Sequence, residues 1–264
     1  MLKMLIVIAA CNEAASLDQF LPRLQKVADY LLSDILVIDD GSLDNTAVIC
    51  RKHECIVLQN HENKGIGNSL RRGYHEAVKG SYDLVATMDA DGQHDENFLI
   101  TMFEKIKDGA DIVIASRYHP DSERIQVPLD RDFLNVAVTA QMQVATGWET
   151  TDPLSGFWMM RRHCFEFALE HGNQERYGIH LEHLVKFWYL SNPRPKLVEV
   201  AHPAIYGNHG NLPLLTREYS PSNQEARVER FGTHALHILQ AIEDVKRHYP
   251  GVDQEMSKRR EKMR

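Results

Sequence analysis

Two aspartates one residue apart, Asp89 and Asp91, close an apolar run in "LVATMDADGQHDE". Side chains at i and i+2 of extended backbone point to the same face, so both carboxylates can reach one hard cation. Two like charges that close repel unless something neutralises them. Oxygen donors select magnesium or manganese over softer metals, and such ions keep open positions for substrate phosphates. Gly92 lets the chain turn sharply, and Gln93 offers a third oxygen. The plainer reading is an Asp-Gly turn with a solvated acid pair, and this stretch alone does not separate the two.

Other acids and cations stand at comparable points. Glu13 follows the apolar run "MLIVIAA", and Asp39 and Asp40 end "DILVIDD". Carboxylates at strand ends are suited to accept hydrogen bonds from ribose hydroxyls or a base edge. Helix capping accounts for Asp44 but poorly for Asp39 and Asp40. Arg117 in "IASRY" and Arg131 in "LDRDFLN" are candidate cationic partners, because the guanidinium fork matches phosphate. An exposed surface role is the commoner one for Arg131. "DPLSGF" contributes Asp152 and "GIHLEHLV" contributes Glu182, which is either a general base or a polar face residue. "NKGIGNSLRRG" has Leu70 where GxGxxG needs its third glycine, and it lacks GxxxxGK[ST], so a tight turn is its expected use. "HLEH" at His180 to His183 lacks the HExxH order and reads as a structural pair.

The elements that must position these residues follow one rhythm in the first half of the chain. Strands are expected at "MLIVIAA", "DILVIDD", "CIVLQN", "DLVATMDA" and "DIVIAS". Helices are expected between them at "LDQFLPRLQKVADYLL", "NTAVICRKH", "GNSLRRGYHEAVKG" and "ENFLITMFEKIKDG". This alternation implies βαβ units and a mostly parallel sheet, whose ligands sit outside the carboxyl ends of the strands. Glu13, Asp39 and Asp40, Asp89 and Asp91, and Arg117 all fall at such ends.

From about residue 118 the rhythm changes. "YHPDSERIQVPLD" reads as a loop, "RDFLNVAVTAQMQVA" as a helix and "TTDPLSGFWMMRR" as a buried aromatic segment. "GIHLEHLVKFWYL" reads as a helix and "PKLVEVAHPAIY" as a strand. After a second loop, "NHGNLPLLTREYSPSN", comes a long amphipathic helix with Val228, Phe231, Ala235, Ile238, Ile242 and Val245 on one stripe, expected to pack on the body. The basic end "SKRREKMR" is expected to be a solvated tail, with peripheral contact to an anionic membrane as the alternative.

Bulk properties narrow the class. The 264 residues are 43% hydrophobic and 25% charged, which suits one α/β domain with an appended part. A net charge of -7 argues against a nucleic-acid partner. Cys11, Cys50, Cys55 and Cys164 form neither a CxxC pair nor a zinc spacing, which fits a reduced, cytosolic compartment. The opening "MLKMLIVIAACNEAAS" has the look of a lipoprotein leader ending before Cys11. Its apolar run from Met4 to Cys11 is short for export and suits a buried parallel strand.

The ordered set "AACNEAAS", "VIDDGSLDNT", "NKGIGNSLRRGYHEA", "TMDADGQHDENFL", "IASRY" and "DPLSGFWMM" resembles the family-2 glycosyltransferases of the GT-A fold. Within them it resembles the polyprenyl-phosphate (dolichyl-phosphate) mannose and glucose synthase branch, over about residues 4 to 210. The family usually opens with Pro-x-Tyr-Asn-Glu. Here Ala9, Ala10 and Cys11 precede Asn12 and Glu13, so Cys11 looks like a tyrosine replacement.

By resemblance, Ala9, Cys11, Glu13, Asp39, Asp40 and Asp89 surround the nucleotide, and Asp89, Asp91 and Gln93 hold Mg2+ or Mn2+ on its diphosphate. Arg117 and Arg131 fall where the branch grips the acceptor phosphate, Asn135 stands where a serine is frequent, and Asp152 and Glu182 match the acceptor-side acids. Asp91, Asp152 and Glu182 are the expected catalytic residues. The branch commonly ends its catalytic region with Arg-x-x-Gly-x-Ser-Lys, whereas "YGNHGNLPLL" keeps only Gly210, which counts against a lipid-phosphate acceptor. The resemblance implies an α/β GT-A domain over 1–218, with a nucleotide-sugar half at 1–116 and an acceptor half at 117–218, then a helical extension over 219–264. It implies an inverting hexosyltransferase using a UDP- or GDP-sugar and a glycan or lipid-phosphate acceptor, in the cytoplasm or at the inner face of the membrane. The alternatives are transfer to a sugar hydroxyl, a sugar-1-phosphate nucleotidyltransferase and a catalytically silent binding subunit.

Overall fold

The computed structural model describes residues 2–206 and 224–262. Its strands are β1 (Met4–Ala10), β2 (Ser33–Asp40), β3 (Ile56–Asn60), β4 (Leu84–Asp89), β5 (Ile112–Ser116), β6 (Arg124–Ile125), β7 (Trp158–Arg161), β8 (Leu197–Ala201) and β9 (Ala204–Ile205). Its helices are α1 (Ala14–Leu31), α2 (Thr46–Lys52), α3 (Ile66–Lys79), α4 (Phe98–Lys107), α5 (Leu129–Thr146), α6 (Arg162–His171), α7 (Ile179–Leu190), α8 (Gln224–Lys246) and α9 (Val252–Lys262). Seven strands form one sheet in the order β3-β2-β1-β4-β7-β5-β8. The pairings are parallel except those of β7, which runs antiparallel between β4 and β5. A parallel β6–β9 ribbon lies apart from it.

Both faces of the sheet are covered, which is why β1 is an unbroken apolar run. Strand side chains alternate between faces and divide the interior in two. Met4, Ile6, Ile8, Val37 and Ala86 meet Phe20, Leu24, Met102 and Ile106 of α1 and α4. Leu5, Val7, Ile38, Val85 and Trp158 meet Tyr74, Phe165, Leu184 and Ile238 of α3, α6, α7 and α8. The mostly parallel α/β architecture agrees with the expectation from the sequence.

Several elements differ from it. The segment "TTDPLSGFWMMRR" supplies β7, and α6 follows at once. The loop "YHPDSERIQVPLD" contains β6. The basic end is helical where described, since α9 runs into it; its Ser257, Lys258 and Glu261 are exposed, while Val252 and Met256 just before it pack on the core. In the amphipathic stripe, Ile238, Ile242 and Val245 are buried against the body. Loop 208–223 with Gly210, the boundary at 218/219, and the side chains of Val228 and Phe231 lie outside the described residues.

The glycines of "NKGIGNS" serve chain packing. A Cβ on Gly67 would lie 2.4 Å from the Gln174 carbonyl oxygen, and the Asn68 N–H donates to the Glu175 carbonyl at 2.9 Å. The segment around Glu175 therefore covers the N-terminus of α3. Among the described residues no helix is long and apolar enough to cross a membrane.

Candidate active site

The parallel register sets the acids side by side, since Ala9 of β1 pairs with both Ile38 and Asp89, and Ala10 pairs with Asp39. Beyond Asp89 the chain turns through Gly92, at φ 74°, and the Gln93 N–H donates to Asp91 Oδ1 at 3.0 Å. Buried His94 returns beneath the loop: its Nδ1 accepts the Asp89 N–H at 3.1 Å, and its Nε2 lies 3.5 Å from Asp89 Oδ2. The ring stacks on Phe157 at 5.0 Å. Burial raises the Asp89 carboxyl above the usual range. Burial followed by the Asp89 charge does the same to Asp91, as expected for like charges that share a site.

The inserted β7 serves this loop. The segment leading into it lies against β4, where the Thr87 hydroxyl donates to the Gly156 carbonyl at 2.8 Å. A Cβ on Gly156 would sit 2.8 Å from Asp89 Oδ1, so a larger residue would displace the carboxylate. Asp89 and Asp91 lie close enough for their charges to interact, and carboxylate oxygens are donors of the kind that suits Mg2+ or Mn2+. Among the described residues no group of three His, Cys, Asp or Glu could hold an ion by itself. A hard cation here would draw its remaining ligands from substrate oxygens and water.

On the nucleotide side the structure encloses two of the expected acids. Asp39 Oδ1 accepts the Ser42 N–H and its Oδ2 the Gln59 side-chain amide, both at 3.0 Å. Asp40 accepts Asn60 Nδ2 at 2.7 Å, the Lys64 N–H at 3.0 Å and the Gly65 N–H at 2.8 Å. Both are buried. Asp40 thus closes the β3–α3 turn through three hydrogen bonds. Partly exposed Glu13 accepts the Ser16 hydroxyl at 2.9 Å, and Cys11 Sγ meets Asn63 Nδ2 at 3.3 Å.

On the other side Arg117, at the end of β5, grips Asp152. Its Nε donates to Oδ2 at 2.8 Å, its Nη2 to Oδ1 at 3.0 Å and its backbone N–H to Oδ2 at 3.0 Å. Asn135, buried in α5, adds its Nδ2 to Oδ1 at 3.0 Å. Glu199 of β8 holds the preceding turn through the Thr150 hydroxyl and the Thr151 N–H and hydroxyl. Asp152 is fully buried, whereas the Arg117 side chain keeps 21% of its surface exposed. Both oxygens of Asp152, the expected general base, accept hydrogen bonds from Arg117 and Asn135. Arg131 is exposed and makes no ion pair among the described residues.

Glu182 is enclosed in the same way. It is 1% exposed and accepts the Asn173 and Gln174 N–H groups and Lys186 Nζ, the last at 2.7 Å. Lys186 also reaches Asp244 of α8 at 3.2 Å. This acid ties the loop after α6 to the C-terminal helices, and both of its oxygens accept hydrogen bonds. His180 and His183 lie in the core.

Removing one member of a buried ion pair costs about 3 to 5 kcal/mol. Asp152→Ala is accordingly expected to lower the urea unfolding free energy by about 3 kcal/mol. A loss under about 0.5 kcal/mol, the range of ordinary surface substitutions, would show that Arg117 does not depend on it.

Sequence reasoning missed His94, Glu199 and His202, while Gly156 of "DPLSGF" stood out beside Asp152. Of the three missed, only His94, inside "DGQHDE", had a nearby signal; the others approach the site across the sheet.

Residues 5–167 match the family model described as Glycosyl transferase family 2. A dolichol-phosphate mannosyltransferase of Pyrococcus furiosus is 29% identical over 171 residues, 62% of this chain and 48% of that protein. An undecaprenyl-phosphate mannosyltransferase of Micrococcus luteus is 29% identical over 161 residues, 59% of this chain and 65% of that protein. The chain thus spans about half to two thirds of these relatives' length. The crystal structure of glucosyl-3-phosphoglycerate synthase from Mycobacterium tuberculosis with Mn2+, UDP and glucosyl-3-phosphoglycerate superposes with a TM-score of 0.65 at 16% identity. That match covers 92% of this chain and 79% of the other, a likeness of fold.

Proposed function

Since this chain belongs to glycosyl transferase family 2, we propose that it moves a hexose from a UDP- or GDP-sugar to a polyprenyl phosphate, inverting the anomeric carbon. The observation that carries the choice of acceptor is the state of the two candidate bases. Asp152 is committed to Arg117, and Glu182 to Lys186 and two backbone N–H groups. A sugar hydroxyl needs a base as it attacks. A phosphate monoester, with a second pKa near 6, is already anionic. The mannosyltransferase names of the relatives point the same way.

In this reading one oxygen of the acceptor phosphate attacks the anomeric carbon from the face opposite the nucleotide. The new C–O bond forms as the bond to the diphosphate breaks, and its electron pair leaves with the nucleoside diphosphate. Asp89, Asp91 and Gln93 would hold Mg2+ or Mn2+, which supplies neutralisation of the leaving group's charge. Arg117, fixed by Asp152 and Asn135, orients the acceptor phosphate, with exposed Arg131 as a second cation. Glu13 and Cys11 border the nucleoside. The reading places the protein in the cytoplasm, peripherally at the inner face of the membrane that carries the acceptor.

A panel of UDP-, GDP- and dTDP-sugars, each assayed with Mn2+ and a short-chain polyprenyl phosphate, tests this. Nucleoside diphosphate release is expected with one donor class, with the phosphate and not with the free polyprenol. Transfer to the polyprenol or to a plain sugar hydroxyl at a similar rate would overturn the acceptor assignment. No turnover with any donor would favour a silent binding subunit.

A further inference from the structure

The acid loop is held at both ends by buried histidine rings acting as acceptors. His94 Nδ1 accepts the backbone N–H of Asp89, and His202 Nε2, from the β8–β9 connection, accepts the backbone N–H of Asp95, each at 3.1 Å. A nitrogen that accepts carries no proton, so both rings are neutral imidazoles of defined tautomer. In His94 the proton is on Nε2, which faces Asp89 Oδ2 at 3.5 Å. In His202 it is on Nδ1.

The two rings lie edge to face at 6.0 Å, and both pack on Phe157, at 5.0 Å and 5.7 Å. Phe98, at the start of α4, closes on His202 at 4.8 Å. The His202 backbone N–H donates to the Ser116 carbonyl at 2.8 Å, one residue before Arg117. The cradle therefore joins the acid loop to the end of β5 that bears Arg117.

We propose that His94 and His202 are positioning residues for the loop that carries Asp89, Asp91 and Gln93, each fixing one end of it through a backbone N–H. The proposal rests on the reading of that loop as the holder of a divalent cation. Groups outside the ligand shell that orient metal ligands commonly change metal affinity by about 10- to 100-fold.

Amide substitutions of two lengths separate this role from mere filling of space. An asparagine oxygen sits at the depth of histidine Nδ1 and a glutamine oxygen at the depth of Nε2. His94→Asn and His202→Gln keep the acceptor in place, whereas His94→Gln and His202→Asn move it by one bond while burying the same chemical group. The readout is Mn2+ affinity in the presence of UDP, from the electron paramagnetic resonance signal of free Mn2+, with thermal melts as the check on folding.

His94→Asn and His202→Gln are expected within about threefold of the wild type, and the exchanged pair about tenfold weaker or more. Four variants that bind like the wild type would overturn the proposal, as would equal losses in all four. Should an exchanged variant fail to fold, His94→Asn and His202→Gln decide alone, and a tenfold loss in either counts against it. A wild type that binds no Mn2+ would instead remove the cation reading beneath it.

Discussion

Asp91→Asn is expected to lower sugar transfer about a thousandfold, roughly 4 kcal/mol of transition-state stabilisation, while leaving the protein at least as thermostable as the wild type. Both halves follow from one observation. Asp91 is raised by burial and then by Asp89 beside it, so its charged form is disfavoured in the folded chain relative to the unfolded one. A neutral amide of the same shape relieves that repulsion. The same charge is what a cation on the sugar-nucleotide diphosphate would need, and loss of one carboxylate weakens the hold when charge develops on the leaving group. Wild-type melting temperature should therefore rise on adding Mn2+ with UDP, because a ligand that prefers the folded state stabilises it, and the variant's should not. A variant that keeps more than a tenth of the wild-type rate would take the acid pair out of the reaction.

The parts of this architecture that follow from local pattern were legible in the chain. β1, β2, β4 and β5 are apolar runs of strand length, and α1, α3 and α4 fall between them with buried faces at helical spacing. Hence the parallel sheet and the acids at its edge could be read directly. β7 could not, because four residues, Trp158 to Arg161, fix neither a direction nor a place in the sheet. Both are set by neighbours about 70 and 45 positions away in sequence, Thr87 and Ile114.

The same limit applied to single residues. Asp152 and Glu182 have the composition of bases, and only their partners, Arg117, Asn135, Lys186 and the N–H groups of Asn173 and Gln174, reveal carboxylates already in use. Asp40 was legible as a strand-end acid but not as the closure of a turn 20 to 25 residues later. His202 had no local signal, because Asp95, whose N–H it accepts, lies 107 positions away.

Between pH 6.5 and pH 5 the chain is expected to lose about 3 kcal/mol of unfolding free energy through two buried histidines. Burial first, and then the nearby His94 ring, push His180 and His202 down to about 3 from the usual 6.5. An unfolded imidazole takes a proton near pH 6.5 and a folded one does not until about pH 3. The unfolded state therefore binds more protons in that window, and stability falls as pH falls. Each ring contributes a slope that rises to about 1.4 kcal/mol per pH unit well below pH 6.5 and fades above it. His183, held well below its usual value by burial and then by His180, Arg71 and Lys186, adds in the same direction. Among the described residues neither of its ring nitrogens has a hydrogen-bond partner, nor does His180 Nε2, so a new proton would find no acceptor in place there. Asp89 and Asp91 act oppositely: their raised carboxyls bind protons more readily in the folded chain, and that gain grows as pH falls towards the ordinary carboxylate value of 3.8. His180→Phe isolates the imidazole effect, because a ring of similar size can keep the contact with Trp158, 4.8 Å away, without titrating. Urea unfolding at pH 7, 6 and 5 should give the variant a pH slope shallower by about 1.4 kcal/mol per unit below pH 6.5. A His180→Phe variant with the same pH slope as the wild type would mean that a proton reaches this ring in the folded chain.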